Sequence, residues 1–229
     1  MPGYQPGFGC RIDPKMPGIQ AEFGILVGWN PGNNRDGMMS NFMEAMSHEQ
    51  YNQMIYEAER QLTQLRIENW LNLDLFSWQW WILLVLLFLP WLVWWKYVDK
   101  QRLQEIFIVG LLVLILSAHL DAVFSETGLW YYHYWLTPWT PHLVTANFSF
   151  IPVVYMLVYQ RYRSWSSYLA AMAVLALVLA VPIEMILVWT DIFEIRHWRS
   201  CYGIPIFFGM GVLVRWLTQT MMNKQAQAL

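Results

Sequence analysis

The sequence predicts an all-α integral membrane protein: a bundle of about five transmembrane helices, led by a disordered N-terminal tail and an amphipathic helix. Three observations carry this reading. Of 229 residues, 57% are hydrophobic and only 13% are charged, with a mean hydropathy of +0.30. A water-soluble domain carries roughly 25% charged residues, so the missing charge points to a bilayer rather than to a large aqueous core. Several apolar runs approach the roughly 20 residues that a helix needs to cross hydrocarbon. Tryptophans stand at both ends of the first run, where amphipathic rings settle at the headgroup level.

Residues 1–46 are rich in Gly, Pro, Asn and Met, and Pro-Gly recurs at 2–3, 6–7, 17–18 and 31–32. Each pair is a turn signal that interrupts regular structure, so a disordered tail is expected, with a partner-binding or assembly segment as the alternative. The longest apolar run of the tail, Ala21 to Trp29, is broken by Gly24 and Gly28 and lacks a basic segment before it. No cleavable signal peptide is therefore expected. Cys10 and Cys201 make no disulfide framework and do not fix a redox compartment. A formal net charge of -2 gives no basic face for nucleic acid.

An amphipathic helix is expected over 47–75. Ser47 and Gln50 fit a capping box. Ile55, Ala58, Leu62 and Leu65 then follow a 3-4-3 spacing between Glu57, Glu59, Arg60 and Arg66. The stripe suits a membrane surface, the rest of the protein or a second copy.

The membrane domain is expected over 76–222, followed by a short cytoplasmic tail at 223–229. The first span, 77–95, carries Trp78, Trp80 and Trp81 at one end and Trp91, Trp94 and Trp95 at the other. Trp78 to Trp95 covers about 26 Å of helix, near the hydrocarbon thickness. Pro90 is expected to kink its last turns. Further spans are expected at 104–124, 147–160, 168–190 and 204–221; the third is short and begins in the polar stretch TANFS.

Lys and Arg in short loops set orientation. Lys96, Lys100, Arg102, Arg161, Arg163 and Lys224 fall on one side. Arg60, Arg66, Arg196 and Arg199 fall on the other, and loop 125–146 has no cation. The expected topology is N-terminus outside and C-terminus in the cytoplasm. Loop 125–146 then lies at the outer face. It holds Trp130, Tyr131, Tyr132, Tyr134, Trp135 and Trp139, rings with an apolar body and a polar tip. It reads as an interfacial belt or as a lid over an outward-facing pocket.

Polar groups inside the bilayer need a reason, since Asp at a helix centre costs roughly 2.5–3.5 kcal/mol on the insertion scale. His119 and Asp121 sit in span two, Asn147 at the start of span three, and Glu184 in span four after Pro182. Asp191, seven residues past Glu184, is expected on the same helix face. Together with Trp130 and Tyr132 these form the candidate ligand-binding set, under the aromatic loop. Such a cluster either holds helices together by hydrogen bonds or marks a ligand or proton site. A metal is not expected: His119 and Asp121, two apart, point away from each other on a helix, and His133, His142 and His197 are scattered. No motif assigns a cofactor. Arg215, in the last span, is expected to snorkel or to pair with a carboxylate or lipid phosphate.

Several stretches stand together: HLDAVF around Asp121, GLWYY from Gly128 to Tyr132, FSFIPVVYMLVYQRY from Phe148 to Tyr162, VPIEMI around Glu184, and HWRSCYGIPIF from His197 to Phe207. On these, the chain from about 75 to 220 resembles an uncharacterised family of small polytopic membrane proteins of endospore-forming bacteria. The resemblance implies the cytoplasmic membrane and no particular reaction. In that family Pro usually follows the span-four Glu, whereas here Met185 follows Glu184 and Pro182 precedes it.

Three functions follow as expectations. The first is a non-enzymatic membrane protein whose acidic and aromatic cluster stabilises the bundle or binds a small ligand, ion or lipid. The second is a membrane-embedded enzyme acting on a lipid or isoprenoid, with Asp121 and Glu184 as acid and base. The third is an assembly or scaffold protein that reaches a second copy or a protein partner through residues 1–70. Membrane lipids are the expected surroundings in each case.

Overall fold

A computed structural model describes residues 47–140 and 143–228. The tail at 1–46, with Cys10, and the loop residue His142 lie outside the described residues. The chain divides into two units, Met1–Glu57 and Ala58–Leu229.

Helix α1, His48–Asn69, begins at the capping box. The Ser47 N–H donates to Gln50 Oε1 at 2.8 Å, and the Gln50 N–H donates back to Ser47 Oγ at 3.3 Å. The stripe residues Ile55, Leu62 and Leu65 are all exposed. α1 runs into a π turn, Trp70–Asp74. Ser77 caps helix α2, Trp78–Tyr97, which contains Pro90.

A 3-10 turn, Lys100–Arg102, leads into α3, Leu103–Glu126. Gly128, at φ +76°, turns the chain out of α3, a conformation that costs glycine nothing. A π turn, Ala146–Phe150, opens α4, Ile151–Arg161. Helix α5, Trp165–Val178, passes through a third π turn, Leu179–Ile183, into α6, Glu184–Trp189. The last helix, α7, is Gly203–Ala228 and continues through the residues expected as a tail.

Among the described residues two short strands interrupt the helical pattern. β1, Trp130–Tyr132, pairs antiparallel with β2, Phe193–Ile195, placing Trp130 against Ile195 and Tyr132 against Phe193. Three residues per strand carry too little periodicity to be seen from sequence. This ribbon joins the loop after α3 to the loop after α6 and so defines one end of the bundle, the ribbon end.

Among the described residues, four helical stretches are long and apolar enough to cross a membrane: Trp78–Tyr97, Lys100–Glu126, Trp165–Trp189 and Ser200–Gln225. The chain is a multi-spanning membrane protein with an all-α bundle. The expected count of five is corrected at 147–160. There the polar residues coil into a π turn, and the α-helix proper has only 11 residues. That segment still runs from end to end. It starts beside the ribbon, and at its far end Asp99 N–H donates to Gln160 Oε1 while Gln160 Nε2–H donates to Tyr97 O, both at 3.1 Å.

The core joins α3, α4, α5 and α7 around Ile106, Val113, Tyr155, Met156, Tyr168 and Val214. Two glycines let the helices approach closely, as small residues do in bilayers. A Cβ at Gly110 would lie 2.6 Å from Met156 Sδ, and one at Gly211 would collide with Met172. Phenols fix the register: Tyr155 OH donates to Phe207 O at 2.7 Å and Tyr168 OH to Gly211 O at 2.9 Å. Leu92, Val174 and Trp189 face outward, as lipid-facing side chains do.

Candidate functional site: a carboxylate-anchored cavity at the ribbon end

Asp121 lies in the last turns of α3, ahead of the ribbon, and is buried. Trp130 Nε1–H and Tyr132 O–H both donate to its Oδ1, at 3.1 and 2.6 Å. Asn147 Nδ2–H donates to Oδ2 at 2.6 Å. One carboxyl group therefore ties α3 to β1 and to the π turn before α4. All three partners are donors, which satisfies a buried acid from every side. Burial first, and then the Asp121 carboxyl, pushes the Tyr132 hydroxyl well above its ordinary range, so Tyr132 remains a donor at any working pH.

Behind this anchor lies a cavity of about 140 Å³. Its wall is mostly apolar, with Leu120, Leu143, Leu179, Ile183, Phe207 and Met210 among the lining residues. Ser117, Asp121, Trp130, Tyr132, Asn147 and Glu184 also line it. Glu184 begins α6 just after the π turn that contains Pro182. Its Oε1 accepts from Ser200 Oγ at 2.5 Å, which ties α6 to the turn before α7. An apolar cavity with a few convergent polar groups suits a small ligand.

Five of the seven expected site residues, Asp121, Trp130, Tyr132, Asn147 and Glu184, meet at this cavity. Two do not, and both are corrected. His119 is exposed on α3, one face away from Asp121. Asp191 does not share a helix face with Glu184, because α6 ends at Trp189 and Asp191 turns the chain at φ +59°.

Asp191 instead belongs to a clasp on the solvent side of the ribbon. His133 Nδ1 lies 3.1 Å from Asp191 Oδ1, and His133 Nε2 lies 3.0 Å from Glu194 Oε2. Burial pulls the imidazole down, but the bonds to Glu194 and Asp191 outweigh it and hold its pKa above the ordinary value. The same bond to His133 lowers Glu194. His197 Nδ1 lies 3.4 Å from Gly128 O, so His133 and His197 serve separate contacts. Among the described residues no group of three His, Cys, Asp or Glu could hold a metal ion.

Two features escaped the sequence. Asp74 is buried and accepts from Trp135 N–H at 3.2 Å and Asn69 Nδ2–H at 3.3 Å. Burial pushes its carboxyl up, against those two bonds. Trp70 and Trp80 add indole donors to Leu136 O, at 3.2 and 3.1 Å. The signal was an acid set in the apolar run Leu73, Leu75 and Phe76. The second is Arg215. It does not snorkel, being 2% exposed, and it pairs with no carboxylate among the described residues. Its guanidinium donates to Tyr162 O at 3.0 Å and to Arg163 O, and lies 4.3 Å from the Tyr168 ring and 4.6 Å from the Trp165 ring.

Comparison with protein-family models, with curated proteins and with solved structures finds no match for this chain.

Proposed function

We propose that this chain is a non-enzymatic protein of the cytoplasmic membrane that holds the hydrocarbon part of a lipid or similar small ligand in the ribbon-end cavity. The observation that carries this reading is a largely apolar cavity at the ribbon end, bordered by a second acid, Glu184, while Asp121 is consumed in fixing the wall. Glu184 is suited to accept a hydrogen bond from a ligand hydroxyl. The placing follows the cation count, with the ribbon end and N-terminus outside and the C-terminus in the cytoplasm. The resemblance to the endospore-former family agrees with that membrane. A cysteine at the exposed position of Trp139, in a chain lacking Cys10 and Cys201, should label from outside intact cells; labelling only after lysis would invert the topology.

The binding test uses native mass spectrometry with a monoacylglycerol. Wild type should retain it, and Leu120→Trp, which fills the cavity, should lose it. Glu184→Gln should weaken retention about 10-fold, the size of one hydrogen bond to a charged group. A folded Leu120→Trp variant that binds like wild type would overturn the reading.

The enzymatic alternative rests on two carboxyl groups reaching one cavity from different helices. It predicts turnover of an added lipid or isoprenoid, abolished by Glu184→Gln. The assembly role through residues 1–70 predicts that deletion of 1–46 abolishes function while the bundle stays folded.

A further inference from the structure

One wall of the cavity differs in build from the rest. Among the described residues that line it, only Leu143 and Trp198 stand outside the helices, π turns and strands. Leu143 is buried, just ahead of the π turn that opens α4. Trp198 belongs to a strap, 196–202, that joins β2 to α7. Arg196, His197, Arg199, Cys201 and Tyr202 on this strap are exposed, whereas Trp198 and Ser200 turn inward.

Both ends of the strap are fixed. At its start the Arg196 and His197 N–H groups donate to Leu129 O, at 3.1 and 3.0 Å. At its end Gly203 is pressed against the π turn before α6: a Cβ there would lie 3.1 Å from Ala180 Cβ. Between these points side chains hold it. The Trp198 ring packs on Trp130 and Phe124, with centroids 5.1 and 5.6 Å away, and so completes the cavity wall. Ring contacts of this kind part without leaving a polar group unpaired. The Ser200 hydroxyl donates to Glu184 Oε1 at 2.5 Å, at the edge of the same cavity. A short bond to a carboxyl group is among the stronger ties a side chain can make.

We propose that the strap 196–202 is the door of the ribbon-end cavity, latched by the Ser200–Glu184 bond, and that a single-chain lipid enters and leaves as Trp198 swings out. This rests on the cavity reading above and adds the regulation of that site. The door hangs on Leu129 O and on Gly203, and no bond of an α-helix has to break for it to open. Latch and ligand do not compete, because a carboxyl group offers two oxygens. The latch closes over the empty and the filled cavity alike. A contact made equally in both states shifts no equilibrium. It therefore governs how fast the ligand exchanges and not how tightly it is held.

The test follows the replacement of bound monoacylglycerol by its deuterated form on the full-length protein, by native mass spectrometry, beside equilibrium retention. Ser200→Ala should speed replacement about 10-fold, the size of one hydrogen bond to a charged group, and leave retention unchanged. Trp198→Ala should speed it at least as much. Ser200→Thr, which keeps the hydroxyl, should exchange like wild type. Replacement at the wild-type rate in folded Ser200→Ala and Trp198→Ala chains overturns the door and sends the ligand sideways between helices. So does a Ser200→Ala chain whose replacement speeds only in proportion to lost retention, because Ser200 is then part of the binding wall. Both outcomes leave the cavity reading standing. Failure of the cavity itself shows separately, as monoacylglycerol retention unaffected by Leu120→Trp.

Discussion

The two ends of the bundle each bury a charge, and they do so in opposite ways. At the end away from the ribbon, Arg215 meets the Tyr162 and Arg163 carbonyls of the α4–α5 connection and is packed against Trp165 and Tyr168. Backbone and rings close around it. At the ribbon end, Asp121 is satisfied by side chains from β1 and from the π turn before α4, and a cavity stays open behind them. A charge neutralised by backbone of its neighbours can be sealed. A charge neutralised by long side chains spaces its elements apart. The first arrangement makes a rigid cap, and the second makes room.

Three perturbations test that contrast. The largest effect is expected from Arg215→Leu. It removes charge-assisted bonds worth about 1.5–3 kcal/mol each and the packing of a buried side chain against two rings, so thermal unfolding in detergent should show a loss of about 3 kcal/mol. Ligand retention at the other end should persist in the folded fraction; its loss there would mean that the two ends act as one unit.

Asp121→Asn should come next, at about 1–3 kcal/mol, the cost of mismatching a buried hydrogen-bonded group. The new amide cannot accept from all three donors. Amide exchange should quicken in 130–136 and stay unchanged around Arg215. Uniform quickening would make Asp121 a global rather than a local tie.

The smallest effect is the pH response of the clasp. His133 has a raised pKa, so its contribution is complete below its ordinary value of 6.5 and is lost as pH rises through the folded-state value. Glu194 is lowered, so its contribution is present above 4.5 and is lost as pH falls through its folded-state value. The clasp is strongest between about pH 4.5 and 6.5. Solvent screening at these half-exposed groups keeps it under about 1 kcal/mol. Exchange of the ribbon amides, corrected for intrinsic rates, should be faster at pH 8 than at pH 6, and His133→Gln should flatten the difference.

The sequence was legible where physics acts over one helix. Apolar runs and Trp pairs located the long spans, and burial cost alone singled out Asp121 and Glu184. It was illegible where contacts are long-range. Nothing local pairs Tyr132 with Phe193, so the ribbon was missed, and with it the role of Asp191. The helix expected to run seven residues beyond Glu184 ends at Trp189, and Asp191 turns the chain there. The burial of Arg215 leaves no mark in the sequence, because its partners are carbonyls of Tyr162 and Arg163, which every residue type carries.

Three π turns, at Trp70–Asp74, Ala146–Phe150 and Leu179–Ile183, lie just before or within the polar set. Asp74 closes the first, Asn147 sits in the second and Glu184 follows the third. A π turn holds one residue more than the α-helix it interrupts, and one residue is about 100° of rotation. The polar face of this end is thus a phase offset written into the helices. Excising the exposed Phe148 would reset the phase of one helix, turning Asn147 away from Asp121 while leaving composition and hydropathy almost untouched. Conversely, single-residue insertions are a short path by which a plain bundle of spans acquires an interior site.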